Sequence, residues 1–254
     1  MAKIAVFDSG LGSLSIIKSI QKVCKADIIY FADQANFPYG KKSKKELEKI
    51  IENSIKMLQE KFNPDLIVIG SNTPTIMLDI TNKKILGVNP PLKQAARISE
   101  TNNIAILATE AVVKSNNLTN YIKNCNISKK IKIHKINSSN LVQLVESGKF
   151  IEDKIYCKKL IKNILRKTFV NHNIDTATLS STHLPFLKSF LETEYPNIQF
   201  IDPAEDVAKS IFTKIKNKQS KRNSLKIFSS DKTIVFQKNL ENIGIKNKIQ
   251  FLSI

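Results

Sequence analysis

IVIGSNTP, Ile67 to Pro74, is the stretch on which the fold turns, and ATLSSTHLP, Ala177 to Pro185, repeats its pattern. Each is an apolar run closed by a small residue, a serine and a threonine-containing tripeptide. Leu66 to Ile69 has the length and β-branched content of a buried parallel strand, and the polar cluster after it falls where such a strand delivers its next helix. In open α/β sheets ligands bind at those carboxyl ends. Two copies predict two similar half-sites, at Ser71 and Ser181, facing one ligand from opposite sides.

Working outward, strands are expected at Ile4 to Phe7, Asp27 to Phe31, Leu66 to Ile69, Ile85 to Val88, Ile104 to Leu107, Ile131 to Ile136, Ala177 to Leu179 and Ile198 to Ile201. Helical periodicity fills most gaps, at Ser13 to Val23, Ser43 to Lys61, Gln94 to Glu100, Ala111 to Ile122, Glu152 to Phe169 and Ala204 to Lys216. This alternation predicts an α/β fold, parallel sheet with helices on both faces. Asn89-Pro90-Pro91 cannot continue a central strand, so it marks a break, and Asp202-Pro203 marks a second. Leu225 to Ile254 reads as strand, helix, strand. Pattern alone therefore predicts two α/β lobes.

The 254 residues suffice for two domains of ordinary size. No apolar stretch reaches membrane-spanning length, and the N-terminus runs into a strand without a signal-peptide pattern, so a cytoplasmic protein is expected. Cys24, Cys125 and Cys157 fit a reducing compartment and form neither a disulfide framework nor a Cys-x-x-Cys zinc site. The net charge of +18 invites a nucleic-acid partner. Yet only Arg97, Arg166 and Arg222 are arginines, and lysines are scattered over nearly every expected helix, with the densest basic run at Lys214 to Arg222. Specific phosphate contact favours arginine forks interleaved with aromatics, so no nucleic-acid partner and no membrane partner is expected.

The same segments carry a family resemblance that runs from the N-terminus to the end of the chain. FDSGLGSLSI (Phe7 to Ile16), FPYGKKS (Phe37 to Ser43), SNTPT and STHLP, with LVQLVESG (Leu141 to Gly148) and IDPAEDVA (Ile201 to Ala208), stand in one order at family-like spacing. The chain resembles glutamate racemase, of the aspartate/glutamate racemase family. That resemblance implies two pseudo-symmetric lobes, 1–92 with 205–254 and 93–204, and a glutamate held in the cleft between them. It implies cofactor-independent, two-base racemisation of L- and D-glutamate to supply D-glutamate for peptidoglycan, with a homodimer among the assemblies to expect.

One departure is chemical. At both catalytic positions the family has cysteine, and this chain has Ser71 and Ser181. A thiol near pKa 8.5 can be tuned towards proton abstraction. With a serine hydroxyl roughly five pKa units higher, forming its anion costs roughly 7 kcal/mol more, about five powers of ten in rate if nothing offsets it. The three cysteines lie outside both motifs and are not expected to stand in.

For the remaining candidates a structural role competes with a functional one. Asp8 and Ser9 fit an ordinary helix N-cap before Gly10 and Gly12, but by resemblance they hold substrate, Asp8 beside the first catalytic residue. Asn72, Thr73 and Thr182 fit caps, or donors to a substrate carboxylate at helix N-termini. Pro38-Tyr39-Gly40 is a plain turn by composition, whereas the resemblance gives Tyr39 and Gly40 substrate contacts. His134 and His172 are read as structural; His183, two residues beyond Ser181, is the one the resemblance assigns to proton transfer. Glu146 is either a family glutamate near the site or an exposed helix-end carboxylate.

Two alternatives stay open. One is an impaired homologue that binds an acidic amino acid in the same cleft; the other is hydrolase chemistry by Ser181 and His183, for which no third orienting group and no Gly-x-Ser-x-Gly elbow is visible. No cofactor and no metal is expected, since neither a Schiff-base lysine in a phosphate pocket nor a ligand cluster can be located.

Overall fold

The computed structural model describes residues 2–231 and 234–253. Positions 1, 232, 233 and 254, which fall in the expected first lobe and final segment, lie outside the described residues. In chain order the elements are β1 (Lys3–Asp8), α1 (Leu14–Val23), β2 (Asp27–Ala32), α2 (Lys44–Phe62), β3 (Leu66–Ile69), α3 (Asn72–Met77) and β4 (Ile85–Gly87). Then follow α4 (Leu92–Ile98), β5 (Asn103–Ala108), α5 (Glu110–Lys114), α6 (Asn116–Asn124), β6 (Lys132–Asn137), α7 (Ser139–Glu146), α8 (Lys149–Glu152), α9 (Lys154–Asn171), β7 (Thr176–Leu179), α10 (Lys188–Glu194) and β8 (Gln199–Ile201). The chain closes with α11 (Ala204–Ile215), β9 (Ser224–Ser229), α12 (Ile234–Asn242) and β10 (Ile249–Phe251).

Two compact units result. Met1–Val88 and Ala204–Ile254 form one, Asn89–Pro203 the other. The first holds a parallel sheet in the order β10-β9-β2-β1-β3-β4, the second a parallel sheet in the order β6-β5-β7-β8. The expected parallel α/β fold is what the chain adopts.

Strand alternation explains the first core. Ala5, Phe7, Ile29, Phe31, Ile67 and Ile69 recur every second residue on one face of the sheet and pack against Leu47, Ile51 and Leu58 of α2. That helix starts at a capping box, Ser43 with Glu46, and stops at Asn63, whose φ of 43° is left-handed. The returning segment is tied in by β9 pairing with β2 and by α11 packing on α1.

Three helix expectations need correction. Ala111 to Ile122 is two helices, because the Ser115 hydroxyl accepts the Leu118 N–H at 3.1 Å and starts α6 afresh. Glu152 to Phe169 is likewise divided at Asp153, whose carboxylate accepts the Tyr156 N–H at 2.8 Å. Short polar side chains compete for backbone donors and restart helices in this way. The helix expected over Gln94 to Glu100 begins at Leu92 and ends at Ile98, where Asp175 accepts from the Ser99 hydroxyl at 2.7 Å and the Glu100 N–H at 2.6 Å.

His134 and His172 are structural, as read. Their rings stack at 4.2 Å, and His134 Nε2 lies 3.2 Å from Asn103 Oδ1. Burial, then the His172 and Lys132 charges, hold the His134 pKa below its ordinary 6.5. A depressed histidine pKa means that the unfolded chain takes up the proton first, so this contribution to stability is present above about pH 6.5 and is lost as pH falls through the folded value. His134→Gln is expected to flatten the acid-side decline in urea-unfolding free energy between about pH 7 and 5; an unchanged slope would count against it.

Candidate active site

In the first sheet β1 leads outward to β2 on one side and to β3 on the other, so the order reverses between β1 and β3. In the second the same reversal lies between β5 and β7. Ligand crevices form beyond the carboxyl ends of strands at such switch points. Ser71 follows β3 by two residues and Ser181 follows β7 by two. The intervening residues are held alike: Gly70 N–H donates to Phe7 O of β1 at 2.8 Å, and Ser180 N–H to Leu107 O of β5 at 2.9 Å.

In the first unit the backbone around Ser71 is braced from several sides. Ser13 Oγ donates to Gly70 O at 3.0 Å, Thr75 Oγ1 donates to Ser71 O at 2.7 Å, and Asn72 Nδ2 donates to Val88 O at 2.8 Å. A Cβ on Gly70 would lie 2.0 Å from Ser13 Oγ, so only glycine fits. Ser71 caps α3, and Asn72 and Thr73 are its first two residues, all three nearly buried. Asn72 Oδ1 is buried without a hydrogen-bond partner, an acceptor aimed at nothing in the protein.

Asp8 and Ser9 do not cap α1, which begins at Leu14 with Ser13 as N-cap; the capping reading is overturned. Asp8 Oδ1 instead accepts the Ser9 N–H at 2.7 Å, Gln34 Nε2 donates to Ser9 O at 3.0 Å, and the Tyr30 hydroxyl donates to Gly10 O. The long side chains from β2 and beyond thus hold the loop after β1.

Tyr39 and Gly40 sit in a one-turn 3-10 helix entered through a cis Phe37–Pro38 peptide. The buried Tyr39 hydroxyl donates to Asp33 Oδ2 at 3.1 Å. Burial, followed by the Asp33 and Asp8 carboxylates, pushes the Tyr39 pKa well up, so it stays a neutral donor. Asp33 also accepts from Asn36 Nδ2 at 2.9 Å on both oxygens and from Ser230 Oγ at 3.0 Å. Burial raises its pKa while those donors and Lys42 pull the other way. Asp33→Ala would leave three donors unpaired, and a loss of about 2–3 kcal/mol is expected in urea unfolding. A loss below the error of the measurement would mean water replaces the carboxylate at no cost.

The second unit holds Ser181, Thr182, His183 and Glu146. Ser181 O accepts the Leu184 N–H at 3.0 Å, and Ser180 Oγ lies 2.8 Å from Thr178 Oγ1. Thr182 lies in a turn and His183 caps a short 3-10 helix, Leu184–Leu187, so Thr182 is not at the N-terminus of an α-helix as expected. His183 Nε2 is 2.9 Å from Glu146 Oε2, with side chains 5% and 11% exposed. Glu146 is therefore no exposed helix-end carboxylate but a nearly buried partner of the histidine. The orienting group that the sequence did not reveal is this carboxylate, and among the described residues neither the Ser71 nor the Ser181 hydroxyl has a hydrogen-bond partner. Without a base on the hydroxyl, the serine-hydrolase alternative has no activated nucleophile.

Cys24, Cys125 and Cys157 are free and buried. Burial raises the Cys24 pKa and, with Asp153, takes Cys157 to about 11, so these thiols are not reactive groups. Sequence reasoning assigned no role to Ser13, Asp33, Asn36, Thr75 and Ser230, although Ser13 and Thr75 lie inside quoted motifs and Asp33 and Asn36 stand just before FPYGKKS. Among the described residues no group of three or more His, Cys, Asp or Glu is placed to hold a metal ion, and no helix is long and apolar enough to cross a membrane.

Two parallel-sheet α/β units, each with a serine two residues beyond a strand at its switch point, define the class of protein by fold. No family model matches the chain. The glutamate racemase of Sulfurihydrogenibium sp. (strain YO3AOP1) is 31% identical over 242 residues, covering 92% of this chain and 91% of the relative. That likeness shows the family: the chain belongs to the glutamate racemases. Solved structures share the fold, among them glutamate racemase isoform RacE1 of Bacillus anthracis (TM-score 0.85, 22% identity, 100% and 98% of the chains covered). The Escherichia coli glutamate racemase in complex with L-glutamate and the activator UDP-MurNAc-ala is a second (TM-score 0.83, 23% identity, 99% and 98% covered).

Proposed function

We propose that the protein is an amino-acid racemase that binds L- and D-glutamate and exchanges the α-proton slowly, with Ser71 and Ser181 at the positions from which the family's thiols act. The observation that carries this is the matched placement of the two serines, each two residues beyond its strand and each preceded by the same backbone bond to the neighbouring strand. The proposed lobes are 1–92 with 205–254, which carries Ser71, and 93–204, which carries Ser181. One group takes the α-proton, leaving the electron pair on the α-carbon, and the other returns a proton to the opposite face. Asp8, Ser9, Tyr39, Gly40, Asn72, Thr73 and Thr182 hold the ligand, the unpartnered Asn72 Oδ1 accepting from a ligand N–H. His183, oriented by Glu146, handles the proton on the Ser181 side.

The reading includes no cofactor, no nucleic-acid or membrane partner, a homodimer as its assembly, and a cytoplasmic protein that supplies D-glutamate for peptidoglycan. Support for the compartment comes from three unpaired thiols. Calorimetric titration is expected to detect L- or D-glutamate at about millimolar concentration. Absence of binding by both glutamate and aspartate at that concentration would overturn the reading.

A further inference from the structure

The last segment of the chain reaches the loops after β1 and β2 through one hydroxyl. β9 ends at Ser229, and Ser230 stands first in the loop beyond it, at the carboxyl edge of the sheet where β1 ends at Asp8 and β2 at Ala32. Its backbone N–H donates to Ala32 O at 3.1 Å, so the parallel register of β9 on β2 fixes where the residue stands. Its side chain then makes two bonds at once. Ser230 Oγ accepts the Ala35 N–H at 3.0 Å and donates to Asp33 Oδ1 at 3.0 Å, which uses the hydroxyl's one proton and a lone pair.

Three loops meet at Asp33, which is 0% exposed. Its N–H donates to Asp8 O at 2.7 Å, Asn36 Nδ2 donates to both of its carboxylate oxygens, and the Tyr39 hydroxyl donates to Oδ2 at 3.1 Å. Among the described residues no salt bridge reaches this carboxylate, so its charge rests on neutral donors. Withdrawing one donor from a buried charge leaves it poorly solvated, and the carboxylate then shifts towards the donors it keeps. One of those donors belongs to a ligand loop. The ring of Tyr39 packs in the apolar core of the first unit, and its bond to Asp33 sets how deep the ring enters. That depth places a single turn, closed by Lys41 N–H to Pro38 O at 3.1 Å and Lys42 N–H to Tyr39 O at 3.2 Å.

We propose that Ser230 is a positioning residue for the ligand loop: its hydroxyl holds Asp33, Asp33 holds the Tyr39 hydroxyl, and Tyr39 thereby places its own backbone and that of Gly40 against an acidic amino acid. The serine acts through Asp33, and the effect on ligand rests on the reading that Tyr39 and Gly40 hold it. The ordering of the turn does not rest on that reading, so the two can be tested apart.

The experiment uses the nitrogen-labelled full chain and two NMR readouts. Without ligand, Ser230→Ala is expected to speed amide hydrogen exchange at Lys41 and Lys42 by at least about fivefold, and to leave Asn63, whose N–H donates to Gln59 O at 3.0 Å, at its unmodified rate. With L- or D-glutamate added, the same variant is expected to bind about three- to tenfold more weakly, whereas Ser230→Thr, which keeps the hydroxyl, stays within about twofold of the unmodified chain. In a Tyr39→Phe background Ser230→Ala should change affinity by less than about twofold, because the path runs through the tyrosine hydroxyl. A serine that only stabilised the fold would lower the urea midpoint and leave the affinity of the folded protein unmoved. Unchanged exchange at Lys41 and Lys42, unchanged affinity in Ser230→Ala, a threonine variant as weak as the alanine one, or the full loss persisting in the Tyr39→Phe background each overturns the proposal. An unmodified chain that binds neither enantiomer overturns instead the reading of Tyr39 and Gly40 as ligand-holding residues, and exchange at Lys41 and Lys42 then decides whether Ser230 orders the turn.

Discussion

Changing Ser71 and Ser181 together to cysteine is expected to raise the wash-in of solvent deuterium at the α-carbon of glutamate by at least about a thousandfold. Neither hydroxyl has a hydrogen-bond partner among the described residues, so no neighbouring base lowers the cost of forming its anion. The raw gap between hydroxyl and thiol, about five powers of ten, is the upper limit. The smaller figure allows for partial compensation by His183. Proton NMR in deuterated buffer measures exchange from both enantiomers for the unmodified and the doubly changed protein. Ordinary racemase turnover in the unmodified protein would show that the serines are activated in another way. No gain in the cysteine variant, with glutamate binding retained, would show that the surrounding groups no longer support proton transfer.

The second large effect concerns Glu146. With thiols restored at both positions, Glu146→Gln is expected to slow exchange by about 10- to 100-fold for one enantiomer and much less for the other. A carboxylate 2.9 Å from His183 Nε2, in a site only 11% exposed on its own side and 5% on the histidine's, stabilises an imidazolium and orients the ring. Glutamine keeps the shape and loses the charge. Because His183 lies two residues from Ser181 and on the same unit, only the proton transfers on that side should suffer. Equal losses for both enantiomers would leave Glu146 a purely structural residue.

How much of the site was legible follows the range of the interactions. Ser71, Asn72 and Thr73 were readable because a β-branched run and the polar cluster after it are contiguous, and strand and switch-point rules act over those few residues. The pairing of Glu146 with His183 spans 37 positions, and the hydrogen bond from Ser230 to Asp33 spans 197. No local pattern encodes a partner at that distance. The breaks at Ser115 and Asp153 were missed for the opposite reason: apolar periodicity runs through both, and a single side-chain bond to the backbone outweighs it locally.

The sequence by itself determined the parallel α/β order and the presence of hydroxyls rather than thiols in the two loops, because strand periodicity and side-chain chemistry are properties of neighbouring residues. Tertiary structure alone decided that Glu146 is a buried partner and not a solvated helix end, that Asp33 props Tyr39, and that Cys24, Cys125 and Cys157 are enclosed. Burial and hydrogen-bond partnership are set by what packs over a residue, and in each of these cases the covering or bonding group comes from another element of the fold or another turn of the chain.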